Sequence, residues 1–395
     1  MDSGVRNQDR SDRRRVKSSK RPVLHFLAGA RPTDLARTLW WHGGVSPLHA
    51  MEVAIMAASA LARTPGCVIE SFRVAGRVRD FMFDPPPLFI VGHWRSGTTF
   101  LHNLMSRDRR FCFPTITDVA RPFDFYPNPF EPITRWLVLR LLPQTRPMDG
   151  IPMDAHLPQE EEIATATMGV LSFFNCFYFP GRLSEVFAQE VLFEGVSAEA
   201  IDAWGRSLRY FLAKLGALSP GKRLLLKNPA HSARIRRIRM LFPGAKFIHI
   251  HRHPFDVFRS TQTLYRSLLP LLALQHYQNA AIDDHIAWSY PELMRRLLDS
   301  LDELPPGDVI AVSYDELVAD PITTIERIYC HLALSEFTQA RESIHQAVCQ
   351  TFHRPSLICD LDEAARSRLA SHWSPVLDRL GYSDAVAKEK SRTIW

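Results

Sequence analysis

The clearest pattern of hydrophobic and polar positions lies around the sequence PLFIVGHWRSGTTF. The apolar run Leu88 to Val91 follows three prolines and precedes Gly92, which is typical of a buried strand. A polar loop follows, and from Thr98 apolar residues recur at helical spacing. We therefore predict a strand, a loop and a helix in succession. Such an arrangement favours anion binding, because the helix N-terminus presents unpaired N–H groups and Gly97 permits close approach of the backbone.

The alternation of strand and helix patterns continues in the second half of the chain. Strands are predicted at 223–226, 246–251 and 308–314, with helices at about 231–241, from Pro254 and from Ile322. This order predicts an α/β fold with a central parallel sheet flanked by helices. Ligands of such sheets bind beyond the carboxyl ends of the strands, where the sequence has Arg95, Lys227, Asn228 and Arg252.

Further helical patterns surround this part of the chain, at 47–65, 133–142, 163–174 and 197–215, with Pro158 in a first helical position before three glutamates. We therefore divide the chain into a disordered basic tail at 1–22, a helical N-terminal extension at 23–84, an α/β domain of P-loop type at 85–335, and a helical C-terminal extension at 336–395.

Charge is concentrated at one end of the chain. Of the net charge of +6 over 395 residues, five units lie in residues 1–22, which hold eight Arg and Lys against three Asp. The remainder is nearly neutral and gives no support for a nucleic-acid-binding face. The six cysteines have no metal-ligand spacing and indicate free thiols in a reducing, cytoplasmic compartment.

The N-terminal region raises the question of membrane contact. Its longest apolar stretch, 53–62, is about half of what a bilayer crossing needs, so no transmembrane span is predicted. The basic tail, Trp40 and Trp41 would also suit peripheral contact with a membrane surface. Packing of this helix against the domain is the alternative.

The loop after the first strand differs from the nucleotide P-loop in an informative way. The spacing of Gly92 and Gly97 fits G-x-x-x-x-G-K-[ST], but Thr98 occupies the lysine position. A nucleoside triphosphatase uses that lysine on its phosphates, so its absence argues against ATP or GTP hydrolysis. The cation lies inside the loop instead, at Arg95.

Two ordered motifs resemble the sulfotransferase family, which transfers a sulfonate from 3′-phosphoadenosine 5′-phosphosulfate (PAPS) to a hydroxyl or amine. The R-S-G-T-T loop is similar to its 5′-phosphosulfate loop, and Arg252 with Ser260, eight residues apart, resembles its 3′-phosphate site. The resemblance covers about residues 85–335 and implies PAPS as co-substrate without a metal. It implies cofactor contacts from Arg95, Ser96, Gly97, Thr98, Thr99, Arg252, Ser260 and, near the adenine, Tyr314.

The same resemblance suggests catalytic residues. Arg95 would offset charge at the bridging oxygen, and Lys227, in a K-x-P context like that of the tyrosylprotein-sulfotransferase branch and related bacterial enzymes, would stabilise the sulfonate. Family members use a histidine or a glutamate as general base, so Glu160 and Asp118 are the first candidates here, and His102 and His156 the others. The family's R-K-G-x-x-G segment is missing from the C-terminal part.

Apolar and aromatic residues at 111–136 and 173–179 are typical of a pocket lining. They favour a small-molecule or lipid-like hydroxyl acceptor over a charged polysaccharide. Two other classes share the fold. These are a P-loop kinase, which should have a lysine after Gly97 and a magnesium-binding carboxylate, and a non-catalytic nucleotide-binding or membrane-associated scaffold.

Overall fold

The computed structural model of the chain describes residues 25–143, 145, 154–278, 280–334, 336–350 and 363–383. The predicted basic tail lies outside these residues. Within them, Cys67, Cys112, Cys176, Cys330 and Cys349 are free thiols.

A five-stranded sheet forms the centre of the described part of the chain. Its spatial order is β2-β3-β1-β4-β5, and every neighbouring pair is parallel. The strands are β1 (Leu88–Val91), β2 (Phe111–Cys112), β3 (Arg223–Lys227), β4 (Lys246–His251) and β5 (Val309–Ser313). The predicted α/β fold with a parallel sheet is confirmed, although the two-residue edge strand β2 was not predicted.

Helices cover both faces of the sheet. They are α1 (Pro32–Trp41), α2 (Ala50–Arg79), α3 (Thr98–Met105), α4 (Ile116–Val119), α5 (Glu131–Leu141), α6 (Glu162–Thr167), α7 (Phe174–Tyr178), α8 (Leu183–Glu190), α9 (Ala198–Ala217), α10 (Ile235–Leu241), α11 (Pro254–Leu272), α12 (Ala280–Leu301), α13 (Tyr314–Ala319), α14 (Pro321–His331), α15 (Thr338–Gln350) and α16 (Glu363–Arg379). Short 3₁₀ turns include Phe26–Gly29 and Pro229–Ala233.

The strand side chains divide the core into two parts. Phe89 and Val91 pack in the larger hydrophobic cluster, whereas Leu88 and Ile90 pack in the smaller one on the other face. This alternation follows from the two-residue period of a strand. Because both faces are covered, the strand reads as a continuous apolar run, which is why it was recognisable in the sequence.

Helix α2 is longer than predicted. It continues through Pro65 to Arg79, and polar contacts on one side hold it to the domain: an Arg63–Asp124 ion pair and the buried Glu70–Lys214 pair. These contacts outweigh the loss of one helical hydrogen bond at the proline. By length and composition alone Pro47–Arg79 could cross a membrane, a weak criterion that core helices also meet.

The predicted helix start at Pro158 is wrong. The Gln159 amide donates to the Pro114 carbonyl at 2.8 Å, and Pro158 pairs with Thr115 in an isolated bridge, so this segment is extended. Helix α6 begins only at Glu162, and it ends before Gly169, whose φ of +68° interrupts the predicted helix 163–174.

Candidate active site

The loop between β1 and α3 is held by its glycines. Gly92 has a φ of +141°, its N–H donates to Ser232 Oγ at 2.9 Å, and Ser232 Oγ donates to its carbonyl at 3.1 Å. Gly97, with a φ of +95°, is the N-cap residue of α3. A side chain at either glycine would overlap Ile250 or Tyr314, so the close approach of these neighbours requires glycine.

Arg95 links the loop to α11. It has a positive φ of 71°, and its Nε donates to Ser260 Oγ at 2.8 Å. Ser96 in the loop and Thr98 at the start of α3 are also buried. The structure therefore brings together two predicted cofactor residues, Arg95 and Ser260, that lie 165 positions apart in the sequence.

Arg252 and Tyr314 meet at the ends of β4 and β5. The Arg252 guanidinium carbon lies 4.5 Å from the centre of the Tyr314 ring, and its Nη2 is 3.3 Å from Asp256 Oδ2. Burial raises the pKa of the Tyr314 hydroxyl, and the positive charges of Arg252 and Arg95 oppose that rise. The same ring borders Gly97, so loop, arginine and tyrosine form one crevice at the carboxyl edge of the sheet.

Lys227, the last residue of β3, forms an ion pair with Glu160. The lysine side chain is 6% exposed and the glutamate side chain 19% exposed. The pair is therefore nearly removed from water, where the two charges interact far more strongly than at a surface. The structure brings together a predicted sulfonate-stabilising residue and a predicted general base.

The next two glutamates, Glu161 and Glu162, are paired with buried residues that follow β3. Glu161 Oε1 lies 2.8 Å from His231 Nε2, and Glu162 Oε2 lies 3.1 Å from Arg234 Nη1, with all four side chains fully buried. Burial alone would raise the pKa of the Glu162 carboxyl, but Arg234 and hydrogen bonds from Asn228 and the Phe173 amide hold it below its usual range. The extended segment before α6 is thus fixed against the residues that follow β3.

A cavity of about 210 Å³ opens beside the ion pair. We call it the acceptor cavity. Apolar side chains form most of its wall. Lys227 and Glu160 contribute charge at one place, and Asp154 is a further lining carboxylate. The apolar and aromatic lining residues are Phe26, Trp94, Ile116, Ala120, Val138, Leu141, Leu142, Leu157, Ile163, Phe173, Phe174, Phe177, Leu264, Leu268, Leu271 and Leu272.

Part of this wall was not foreseen in the sequence. Trp94 stacks on Phe173 with ring centres 3.9 Å apart, so the anion loop itself also lines the cavity. The C-terminal half of α11 supplies four leucines. Its regular helical spacing of apolar residues is typical of any core-facing helix, and nothing in the pattern indicated a ligand.

The other candidate bases lie in different surroundings. Asp118 accepts hydrogen bonds from the amide and hydroxyl of Thr115 in a capping box, and burial raises the pKa of its carboxyl. His102 is buried, with its Nε2 3.2 Å from the Leu225 carbonyl, and burial together with the charge of Lys227 lowers its pKa to about 3. His156 is exposed. Of these residues none lines the described acceptor cavity.

The described residues contain no group of three or more His, Cys, Asp or Glu side chains that could hold a metal ion.

Comparison with known proteins decides the family. The model of the "Sulfotransferase family" matches residues 86–339, which is more than half of the chain. The chain belongs to the sulfotransferase family. It is a PAPS-dependent sulfotransferase, as the two motifs implied, and the kinase and scaffold alternatives fall away with this assignment.

Relatives and solved structures agree with this assignment. The chain is 32% identical over 309 residues to omega-hydroxy-beta-dihydromenaquinone-9 sulfotransferase Stf3 of Mycobacterium bovis and of Mycobacterium tuberculosis, covering 78% of each chain. Among solved structures, sulfotransferase STF9 from Mycobacterium avium aligns with a TM-score of 0.66 at 14% identity, over 89% of this chain and 96% of that one. STF1 from Mycobacterium tuberculosis aligns with a TM-score of 0.62 at 17% identity, over 87% and 90%. At these identities the structural likeness shows the fold.

Proposed function

We propose that this sulfotransferase moves the PAPS sulfonate to the hydroxyl of an apolar, lipid-like acceptor, with Glu160 as general base and Lys227 at the sulfonate. The observation that carries the proposal is the Glu160–Lys227 ion pair at the wall of a mainly apolar cavity. A base must come within hydrogen-bond reach of the acceptor hydroxyl, and Glu160 is the cavity-lining carboxylate that is paired with a predicted catalytic cation.

The proposed reaction is a direct transfer of the sulfonate from PAPS to the acceptor oxygen. The acceptor oxygen forms a bond to sulfur while the sulfur–oxygen bond to the 5′-phosphate breaks, and the acceptor proton passes to Glu160. Lys227 and Arg95 stabilise the negative charge that grows on the sulfonate and on the departing phosphate oxygen, which is the kind of fixed electrostatic support that usually supplies the largest catalytic contribution.

We assign the nucleotide to the crevice at the carboxyl edge of the sheet. Ser96, Gly97, Thr98 and Thr99 would hold the 5′-phosphosulfate with their loop and helix N–H groups. Arg252 and Ser260 would bind the 3′-phosphate, and Tyr314 would contact the adenine. The Arg95–Ser260 hydrogen bond supports one continuous nucleotide site, because it joins the proposed phosphosulfate loop to a residue of the proposed 3′-phosphate site.

Arg95 bears on the missing R-K-G-x-x-G segment. Its Nε donates to Ser260, which is assigned to the 3′-phosphate together with Arg252, the residue that follows β4. We infer that Arg95 contributes here to a contact that cytosolic family members make with that segment.

The acceptor class follows from the cavity wall. Sixteen apolar or aromatic residues line the cavity, and the relative from Mycobacterium is named as a sulfotransferase of a hydroxylated dihydromenaquinone. We therefore expect a long-chain or polycyclic alcohol. A panel of isoprenoid alcohols, sterols, phenols, glycolipids and charged glycans with labelled PAPS tests this, and reaction of charged glycans alone would contradict it.

We also propose that the enzyme works in the cytoplasm and associates peripherally with a membrane through its N-terminal region. Trp40 and Trp41 are exposed at the end of α1, as interfacial tryptophans are. Cell fractionation tests the proposal. We expect a share of the enzyme in the membrane fraction that high salt or alkaline carbonate releases, and an exclusively soluble enzyme would contradict it.

A further inference from the structure

Exposed large hydrophobic residues are concentrated on two helices of the molecule. Most of them lie on α5, on α2 or in the stretch of chain shortly before α2. The rest of the described surface has only scattered examples such as Met240. Contiguous exposed apolar surface marks a binding face rather than ordinary surface composition.

The exposed side of α2 is uncharged over a long distance. Between Glu52 and Arg73 the exposed positions are Ala54, Ile55, Ala58, Leu61, Ala62, Pro65, Val68, Ser71 and Phe72. They recur at intervals of three and four residues, so they form one stripe. At 1.5 Å per residue the stripe extends for about 30 Å. Its charged neighbours Arg63 and Glu70 turn inward to protein partners.

Helix α5 has no buried residue, and its two sides have different surroundings. On the outer side Ile133, Trp136 and Leu137 are exposed. On the inner side Val138 and Leu141 line the acceptor cavity. The helix is therefore a thin wall between the cavity and the surroundings of the protein, and it is apolar on both sides.

The two helices come together where the chain enters α5. Phe130, the residue before α5, packs beside Gly66 in the middle of α2, and Arg73 of α2 donates to the Pro127 carbonyl at 3.0 Å. We call the combined surface, formed by the exposed residues of α2 and α5, the docking face.

The charges around the docking face favour an anionic lipid bilayer over a second copy of the chain. Arginines lie at its edge, Arg73, Arg77 and Arg79 on α2 and Arg135 and Arg140 on α5, and all five are exposed, against Glu52, Asp80 and Glu131. A two-fold interface between copies would place this net positive surface against the same surface of a second copy. A bilayer with anionic headgroups would accept them around an apolar centre.

We propose that the docking face lies on the surface of an anionic bilayer and that the acceptor passes from the bilayer beside Val138 and Leu141 into the acceptor cavity. The route rests on the proposed function, since it requires a lipid-like acceptor. Helix α2 lies along the bilayer rather than across it, because its inner side is occupied by the domain.

Vesicle sedimentation of the full chain tests the docking face. Phosphatidylcholine vesicles with and without phosphatidylglycerol are compared for the wild type, Phe72→Asp, Trp136→Asp and the uncharged Trp136→Ser. Met240→Asp on α10 is the matched control, because it places the same charge at a site that is 70% exposed but outside the docking face. We expect binding to phosphatidylglycerol vesicles, about tenfold weaker in the three variants and unchanged in the control.

The proposed passage of the acceptor from the bilayer into the cavity is tested by sulfonation rates of the same variants. We expect Trp136→Asp to lower the rate on a vesicle-embedded long-chain alcohol by about tenfold and to leave the rate on a short soluble alcohol unchanged. Absence of vesicle binding by the wild type, equal binding by the variants, or a dimer that Trp136→Asp dissociates would each overturn the docking face.

Failure of the proposed acceptor class gives a different result. Vesicle binding is measured without PAPS or acceptor, so variant-sensitive binding combined with no sulfonation of any apolar alcohol would retain the docking face and refute the acceptor route.

Discussion

Replacing Glu160 by glutamine removes the proposed general base with little change of shape. Glutamine keeps an oxygen that accepts a hydrogen bond from Lys227, and the pairs of Glu161 with His231 and of Glu162 with Arg234 are untouched. Because Lys227 is nearly buried and loses its opposite charge, the exchange should cost about 3 kcal/mol of folding stability. The melting temperature of the variant is therefore measured alongside, and turnover is compared at a temperature where both proteins are folded.

The effect on catalysis should be much larger. Loss of a positioned general base lowers the turnover rate by about 10²- to 10⁴-fold, which corresponds to about 2.7–5.4 kcal/mol of activation free energy. Binding of adenosine 3′,5′-bisphosphate should be unchanged, because Glu160 is assigned to the acceptor rather than to the nucleotide.

The assay is transfer of labelled sulfonate from PAPS to an accepted alcohol under saturating conditions. Asp118→Asn is the control, since the exchange removes another candidate carboxylate from the capping box with Thr115. It should reduce stability by about 1 kcal/mol and leave the turnover rate near the wild-type value. A Glu160→Gln enzyme within tenfold of wild-type turnover, or an Asp118→Asn enzyme with the larger loss, would refute the assignment.

Three further changes have expected outcomes. Gly97→Ala should weaken bisphosphate binding by at least about tenfold in titration calorimetry, because φ is +95° and the new methyl group overlaps Tyr314, whereas Gly221→Ala, at a φ of +75° with open space around it, should not. Glu162→Gln should reduce the unfolding free energy in denaturant titrations by about 3–5 kcal/mol, since it leaves the fully buried Arg234 without an opposite charge, and a loss under 1 kcal/mol would contradict that. His102 has a pKa of about 3 in the folded chain, lowered by burial and by the charge of Lys227. Below pH 6.5, the usual pKa of a histidine, the unfolded chain therefore binds a proton at this residue that the folded chain does not bind. Stability should fall with pH from 6.5 toward 3, and His102→Gln should reduce the loss between pH 7 and pH 5 by about 2 kcal/mol in the same titrations, an equal loss in both proteins being the contrary result.

The crevice could be predicted from the sequence because it depends on local patterns and one topological rule. Strands β1, β3, β4 and β5 are short apolar runs bounded by turn residues, and the carboxyl ends of parallel strands share one edge. That rule predicts that Arg95, Lys227 and Arg252 lie at the same edge of the sheet. The hydrogen bond between Arg95 and Ser260 was not predicted, because it joins residues 165 positions apart whose distance only the tertiary structure sets.

The acceptor side could be predicted only in part. Glu160 was one of three consecutive glutamates, and nothing local distinguishes the one that faces the cavity from the two that bind His231 and Arg234. The extended backbone at Pro158 determines which glutamate faces the cavity. That conformation is held by the hydrogen bond from the Gln159 amide to the Pro114 carbonyl, which is distant in the sequence. The course of α2 through Pro65 likewise depends on tertiary contacts rather than on helix propensity.

The most direct test of the account is calorimetric titration of adenosine 3′,5′-bisphosphate, with a chelator present, into the wild type, Arg252→Ala and the control Arg236→Ala. Arg236 is exposed and paired with Glu303 on the surface. We expect binding without metal, weakened about ten- to a hundredfold in Arg252→Ala, as loss of a charge-assisted phosphate contact requires, and unchanged in the control. No binding by the wild type, or equal binding by the wild type and Arg252→Ala, would contradict the proposed nucleotide site.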